Sequence, residues 1–284
     1  MPQVTDRCIR AMLNDGAFRA MTVRTTDLVQ QVLDVQQVQG EAAVLLGELV
    51  TGAVLIRETM APAYRVQLIL RDSLGSALVA DAMPGGDTRG LSRLTDPALG
   101  MVMGDDSILQ VVRRLPRGAS QEGIVAAGHG NGVSQGLMNY MQQSEQITSM
   151  IAVNCEIEDG KVLAAGGYVI QVLPTVTEPP LAIMTERLED FVDLGDRLVE
   201  WDANPATLLE ELYFGFEYTM LDESEVQFHC ACDAVRVISA LATLPREDIE
   251  DLMTSDEVVS MDCDYCGSTY EVGREMLRTL LDKN

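Results

Sequence analysis

Four cysteines in two tight pairs, Cys230-Ala231-Cys232 and Cys263-Asp264-Tyr265-Cys266-Gly267, stand thirty residues apart near the C-terminus of this 284-residue chain. No other feature limits the fold so strongly. Zinc takes four thiolates in a tetrahedron at about 2.3 Å each. A Cys-x-x-Cys pair followed by glycine is a good half-site, because the glycine permits the tight turn that brings backbone N–H groups towards the sulfurs. Cys-x-Cys is a less common half-site, but it completes the set. The spacing predicts one zinc ion per chain, held by Cys230, Cys232, Cys263 and Cys266. The ordinary alternative, four cysteines scattered in a core, fits poorly with two tight pairs in one short tail. A thioredoxin-like pair needs a βαβ setting, which the flanking residues do not supply.

A small domain has little apolar core, whereas zinc–thiolate binding contributes roughly 10–16 kcal/mol of folding free energy. Oxidising the sulfurs would remove that contribution, and the tail is expected to unfold. Two disulfides can close within the pairs, Cys230 with Cys232 and Cys263 with Cys266. A bridge across one residue is tight and readily reduced, so the change would be reversible. Cys8 and Cys155 lie in strand-like segments and read as small core residues. His229 adjoins Cys230 and is a weaker ligand candidate. His129, in Gly128-His129-Gly130-Asn131-Gly132, lacks the spacing of a dinucleotide loop and reads as a surface turn.

Charge restricts the partners. Lys and Arg total 20 against 44 Asp and Glu, a formal charge of −24. Nucleic-acid binding rests on cations that displace condensed counterions, and an anionic membrane surface repels an acidic chain; neither partner is expected. Asp6, Arg7, Arg10, Asp15 and Arg19 interrupt any signal-peptide core. The longest apolar stretch, Ala42 to Ile56, contains Glu48 and falls short of the roughly 18 residues of a membrane span. A cytoplasmic location is the default, and there cysteines are reduced thiols or metal ligands. G-x-S-x-G, P-loop, H-E-x-x-H and zinc-deaminase patterns are missing. The sequence therefore predicts no catalytic residue, no enzyme and no nucleotide-driven action.

The pattern along the chain predicts an α+β fold. Residues 1–177 read as a large mixed, mostly antiparallel domain. Strands are expected at Arg7–Leu13, Phe18–Val23, Tyr64–Leu70, Gly75–Ala82, Leu109–Leu115 and Gly123–Ala127, with a hairpin of Ser149–Ile157 and Val162–Leu173. Helices are expected at Thr25–Val38, Glu41–Met60 and Val133–Gln146. Pro174, Pro179 and Pro180 then punctuate the chain. Residues 178–225 carry fourteen acidic residues against Arg187 and Arg197, over an apolar stripe that includes Leu181, Met184, Leu188, Phe191, Val192 and Leu198. They read as an amphipathic helical linker of marginal stability, because its charges repel one another. Asn204-Pro205 opens a further helix. Residues 226–284 form the small zinc-binding domain, with helices at Val235–Leu244, Pro245–Met253 and Gly273–Leu281.

Several blocks resemble the heat shock protein 33 family of redox-regulated chaperones. Besides the quartet, they are Thr25-Thr26-Asp27-Leu28-Val29-Gln30, Asp81-Ala82-Met83-Pro84-Gly85-Gly86 with Arg89-Gly90, Ser144-Glu145-Gln146, and Ala165-Gly166-Gly167-Tyr168-Val169-Ile170-Gln171-Val172-Leu173-Pro174. The resemblance implies a reduced, zinc-bound resting state that is inactive. It implies oxidation by peroxide or hypochlorous acid, with loss of zinc and disulfides within each cysteine pair. Tail and linker would then unfold, and oxidised dimers would hold unfolding client proteins without ATP. The linker stripe of Leu181, Met184, Leu188, Phe191, Val192 and Leu198 is the candidate client-binding surface. One departure is Asp233, where the family usually places polar and basic residues after its Cys-x-Cys. Basic neighbours speed thiol oxidation, so Asp233 is expected to slow it. The alternative reading is a zinc-stabilised protein that binds partners constitutively, without redox control.

Overall fold

The computed structural model describes residues 4–116, 118–127, 132–174, 181–255 and 258–281. His129 and the expected linker start at residues 178–180 lie outside the described residues. Contacts divide the chain into one unit of residues 1–229 and a second of residues 230–284.

In the first unit, the expected strands β1 (Arg7–Leu13) and β2 (Phe18–Arg24) form a hairpin across the Asn14-Asp15-Gly16 turn. Helices α1 (Thr26–Gln36) and α2 (Glu41–Glu58) follow, then strands β3 (Arg65–Arg71), β4 (Ala77–Ala82), β5 (Asp87–Arg93), β6 (Ile108–Arg114) and β7 (Ser120–Ala126). Helix α3 (Gly132–Tyr140) runs into a single wide turn at Met141–Glu145, and the long hairpin of β8 (Ser149–Glu158) and β9 (Lys161–Val172) comes next. Helices α4 (Leu181–Glu189), α5 (Leu194–Glu200) and α6 (Pro205–Leu212) precede β10 (Tyr218–Glu225) and β11 (Gln227–Phe228). One sheet runs β10-β1-β2-β9-β8 and the other β11-β5-β4-β3-β6-β7. All neighbours are antiparallel except β11 and β5.

Helix α2 touches β2, β8 and β9 of the first sheet and β3, β4 and β5 of the second. It lies between the sheets, so its apolar run has no polar face and almost every residue is buried. The main core fills this layer, with Met21, Val23, Ala165 and Val169 reaching it from the first sheet. The opposite face of that sheet carries Ile9, Ala11, Leu13, Phe18, Ala20, Tyr168 and Ile170, which pack under α4, α5 and α6 with Met184, Phe191, Leu194, Leu198 and Leu208. Because β9 is buried on both faces, it reads as a continuous apolar run rather than an alternating one. Its Gly166-Gly167 pair is required by close approach. A Cβ at Gly166 would lie 2.6 Å from the Val23 carbonyl oxygen, and one at Gly167 2.3 Å from that of Ala152.

Of the residues expected to form a helical linker, those of α4, α5 and α6 are helical, whereas the last eight are strand β10. Acidic, partly polar residues such as these carry a weak strand signal. Their partners are arginines about two hundred residues away: Arg7 pairs with Glu223 at 3.2 Å and Arg10 with Asp222. The second unit also begins at Cys230 rather than Val226, because β11 pairs with β5 and the His229 N–H donates to the Thr88 carbonyl at 3.1 Å.

The second unit contains α7 (Ala234–Leu241), α8 (Arg246–Ser255), the hairpin of β12 (Val258–Asp262) and β13 (Thr269–Gly273), and α9 (Arg274–Leu281). Sequence periodicity finds the helices but not the hairpin. Among the described residues, the buried core here is Leu241, Ile249, Val272 and Leu277, with partly buried neighbours such as Val237, Leu252 and Met261.

Candidate metal centre

Each cysteine pair is placed by a different local device. Cys230 and Cys232 lie in the extended segment before α7. That segment is stopped by Asp233, whose carboxylate accepts the Arg236 N–H at 2.8 Å and caps the helix. Cys263 and Cys266 occupy the turn between β12 and β13. The Cys263 carbonyl accepts N–H groups from Cys266 at 3.2 Å and Gly267 at 2.8 Å, and the Cys263 N–H donates to Ser268 at 2.9 Å. Gly267 has φ +68°, the left-handed conformation that glycine adopts without a Cβ penalty.

The four sulfurs lie within 4.8 Å of one another. Cys230 Sγ is 3.8 Å from Cys263 Sγ, and Cys232 Sγ is 3.3 Å from Cys266 Sγ. A tetrahedron with metal–sulfur distances of about 2.3 Å places its sulfurs about 3.8 Å apart. The geometry therefore fits a four-coordinate divalent ion with soft ligands. His229 is exposed and is not among the clustered ligand atoms.

Hydrogen-bond donors surround the sulfurs. Burial pushes the Cys266 thiol up, but hydrogen bonds with the Ser268 hydroxyl, 3.3 Å away, with the Ser268 N–H and with the Cys232 and Cys263 sulfurs together bring Cys266 down to about 7. Burial also pushes Cys263 up, against the N–H groups of Tyr265 and Cys266. Cys232 is pushed up to about 12, by burial first and by its sulfur neighbours, although the Tyr270 O–H donates to it at 3.0 Å. Four thiolates this close repel one another, and a bound cation relieves that repulsion. Ser268 and Tyr270 complete the site and escaped the sequence reading. Their signal was only position, immediately after Cys-x-x-Cys-Gly.

Cys8 and Cys155 are buried in the main core, as expected. Cys8 lies near Glu58 and Arg57 at the C-terminal end of α2, and Cys155 packs against Gly47 in its N-terminal half. Of the linker stripe, Met184, Phe191 and Leu198 are buried, Leu188 is half-buried, and Leu181 and Val192 are exposed. No described helix is long and apolar enough to cross a membrane.

Comparison with known proteins agrees with this geometry. The family model described as Hsp33 protein matches residues 6–273. The chain is 28% identical to a 33 kDa chaperonin of Syntrophotalea carbinolica, over 97% of this chain and 99% of that one. It is 27% identical to the 33 kDa chaperonin of Streptococcus sanguinis, over 97% and 98%. The crystal structure of the 33 kDa chaperonin (heat shock protein 33 homolog) of Thermotoga maritima superposes with a TM-score of 0.83, at 21% identity and 98% coverage of both chains. That structural likeness carries the fold. Because the family model spans nearly all of the sequence and both cysteine pairs fall inside it, the chain belongs to the Hsp33 family.

Proposed function

We propose that the protein is an ATP-independent chaperone that holds unfolding proteins and is switched on by oxidation of its four clustered cysteines. Family membership supports the chaperone function. The observation that carries the switch is the packing of four sulfurs within 4.8 Å in a unit whose described residues form a small core. Zinc, when bound, holds the four thiolates as anions and ties the segment before α7 to the β12–β13 turn. Each disulfide removes two anionic sulfurs from that ligand set. The three possible pairings are not distinguished by the folded distances. Once the unit loosens, the shortest loops close at the least entropic cost, which favours Cys230–Cys232 and Cys263–Cys266.

The linker is the second part of this reading. Helices α4, α5 and α6 cover an apolar sheet face of Ile9, Leu13, Phe18, Tyr168 and Ile170. Their release would uncover that face together with Leu181, Met184, Leu188, Phe191, Val192 and Leu198. Either surface is of the kind that unfolding proteins bind. A dimer of the oxidised form would bury part of the exposed area and enlarge the binding surface.

The test begins with reduced, zinc-loaded protein at raised temperature. Peroxide is added, and released metal is followed with a colorimetric chelator. About one zinc and four thiols lost per chain, with suppression of client aggregation only after oxidation, is the expected result. Peptide mapping of the oxidised chain identifies the pairings. Retained zinc, with aggregation already suppressed in the reduced state, would instead establish the constitutive binder.

A further inference from the structure

Tyr270 and Cys232 come from opposite halves of the metal centre. Cys232 precedes α7, whereas Tyr270 lies in β13, paired in register with Met261 of β12. The phenol O–H nevertheless donates to Cys232 Sγ at 3.0 Å. A hydrogen bond to a charged acceptor is about twice as strong as a neutral one, and it engages a sulfur lone pair. Attack on a hydroperoxide needs such a lone pair. As the sulfur–oxygen bond forms and the oxygen–oxygen bond breaks, negative charge leaves the sulfur for the departing oxygen. The bond from Tyr270 is therefore stronger before the reaction than at its transition state, and an interaction of that kind slows the step.

We propose that Tyr270 is a positioning residue that restrains Cys232 and sets how much oxidant the switch requires. The oxidant threshold rests on the redox reading above; the restraint on sulfur nucleophilicity does not. In the restrained step the Cys232 thiolate attacks hydrogen peroxide, taking one oxygen as its S–OH group and displacing the other as hydroxide. The sulfur is oxidised to sulfenic acid, and the displaced oxygen is reduced and leaves as water after taking a proton. A second cysteine thiolate then displaces hydroxide from the sulfenic sulfur and closes the disulfide. Tyr270 takes no part in the electron balance. Its hydroxyl acts through Cys232 alone.

Tyr270→Phe keeps the ring in β13 and deletes only the donor. In the zinc-loaded full chain, peroxide-driven zinc release is expected to run about three- to tenfold faster, corresponding to half the contribution of a hydrogen bond to a charged group. Zinc loss to a chelator without oxidant is the control and is expected to change less than about twofold. A brief pulse of iodoacetamide followed by mass spectrometry reads the sulfur itself, and the share of first alkylation at Cys232 should rise. Equal acceleration with and without oxidant would make Tyr270 a structural prop and overturn the proposal, as would unchanged or slower alkylation at Cys232. If the parent protein keeps its zinc under peroxide, the redox reading fails, while the alkylation result still decides the role of Tyr270. Should Tyr270→Phe not fold, 3-fluorotyrosine in place of Tyr270 supplies a stronger donor of nearly the same shape. It is expected to slow Cys232 alkylation, and no slowing would count against the restraint.

Discussion

Withdrawing the metal from fully reduced protein should unfold residues 230–281 and leave the first unit folded. The second unit buries Leu241, Ile249, Val272 and Leu277 in its core. At about 1.5–3 kcal/mol for each fully buried side chain, these contribute about 6–12 kcal/mol before any entropy is charged against them. Zinc–thiolate binding contributes roughly 10–16 kcal/mol, as much as the whole net stability of an ordinary domain, about 5–15 kcal/mol. If zinc is the metal, removing it is expected to leave the core formed by the described residues too small to hold this unit folded. The first unit has cores of its own, one around α2 and one beneath α4, α5 and α6, and is expected to stay folded. The assay is hydrogen exchange read by mass spectrometry, with a strong chelator and a reductant present so that no disulfide forms. Peptides covering α7, α8, α9 and the β12–β13 hairpin should lose protection, while those of α2 and β9 keep it. Far-ultraviolet circular dichroism should fall by no more than the share of α7, α8 and α9, which is under a third of the described α-helical residues. Protection that persisted throughout the second unit without metal would refute the reasoning, because its apolar core would then suffice.

Glu48, on α2, is pushed up to about 7 by burial and by Glu156, against the N–H of Val133. Between its ordinary value of 4.5 and about 7 the folded state binds more protons than the unfolded one, so stability falls as pH rises through that window. Glu48→Gln should remove this slope and raise the unfolding free energy extrapolated from urea titrations at pH 8 but not at pH 5, by on the order of 1–3 kcal/mol. After zinc removal, native protein should react with a thiol reagent at Cys230, Cys232, Cys263 and Cys266 only. Cys8 and Cys155 are 0% and 2% exposed and their thiols are pushed up by burial, so they should react only in denaturant. Leu198→Ala empties a fully buried site between α5 and β9 and should cost about 2–5 kcal/mol. Limited proteolysis in residues 181–212 should then begin at a lower temperature, with zinc content unchanged. Asp233→Ser keeps a capping oxygen for α7 while removing the charge, whereas Asp233→Ala loses about 1 kcal/mol of capping as well. If the charge slows oxidation, the Ser variant releases zinc faster under peroxide; equal rates would leave Asp233 only its cap.

What the sequence determined by itself was whatever depends on residues close along the chain. Cys-x-Cys and Cys-x-x-Cys-Gly are local geometry, and both half-sites stand where the spacing placed them. The Asn14-Asp15-Gly16 hairpin, the buried run of α2 and the long β8–β9 hairpin were legible for the same reason, since turn chemistry and apolar periodicity are short-range signals. The tertiary structure decided what depends on partners far away in sequence. Strand β10 exists because β1 offers it an edge and two arginines, so its own acidic residues said little. The linker stripe shows a helical period, but only the fold reveals that three of its six proposed residues are buried on the outer face of the first sheet. Tyr270 carries no motif that marks it as a partner of Cys232. Its hydroxyl reaches that sulfur because the turn at Cys263–Cys266 folds β13 back across the centre, and such a meeting of residues is set by three-dimensional packing rather than by pattern.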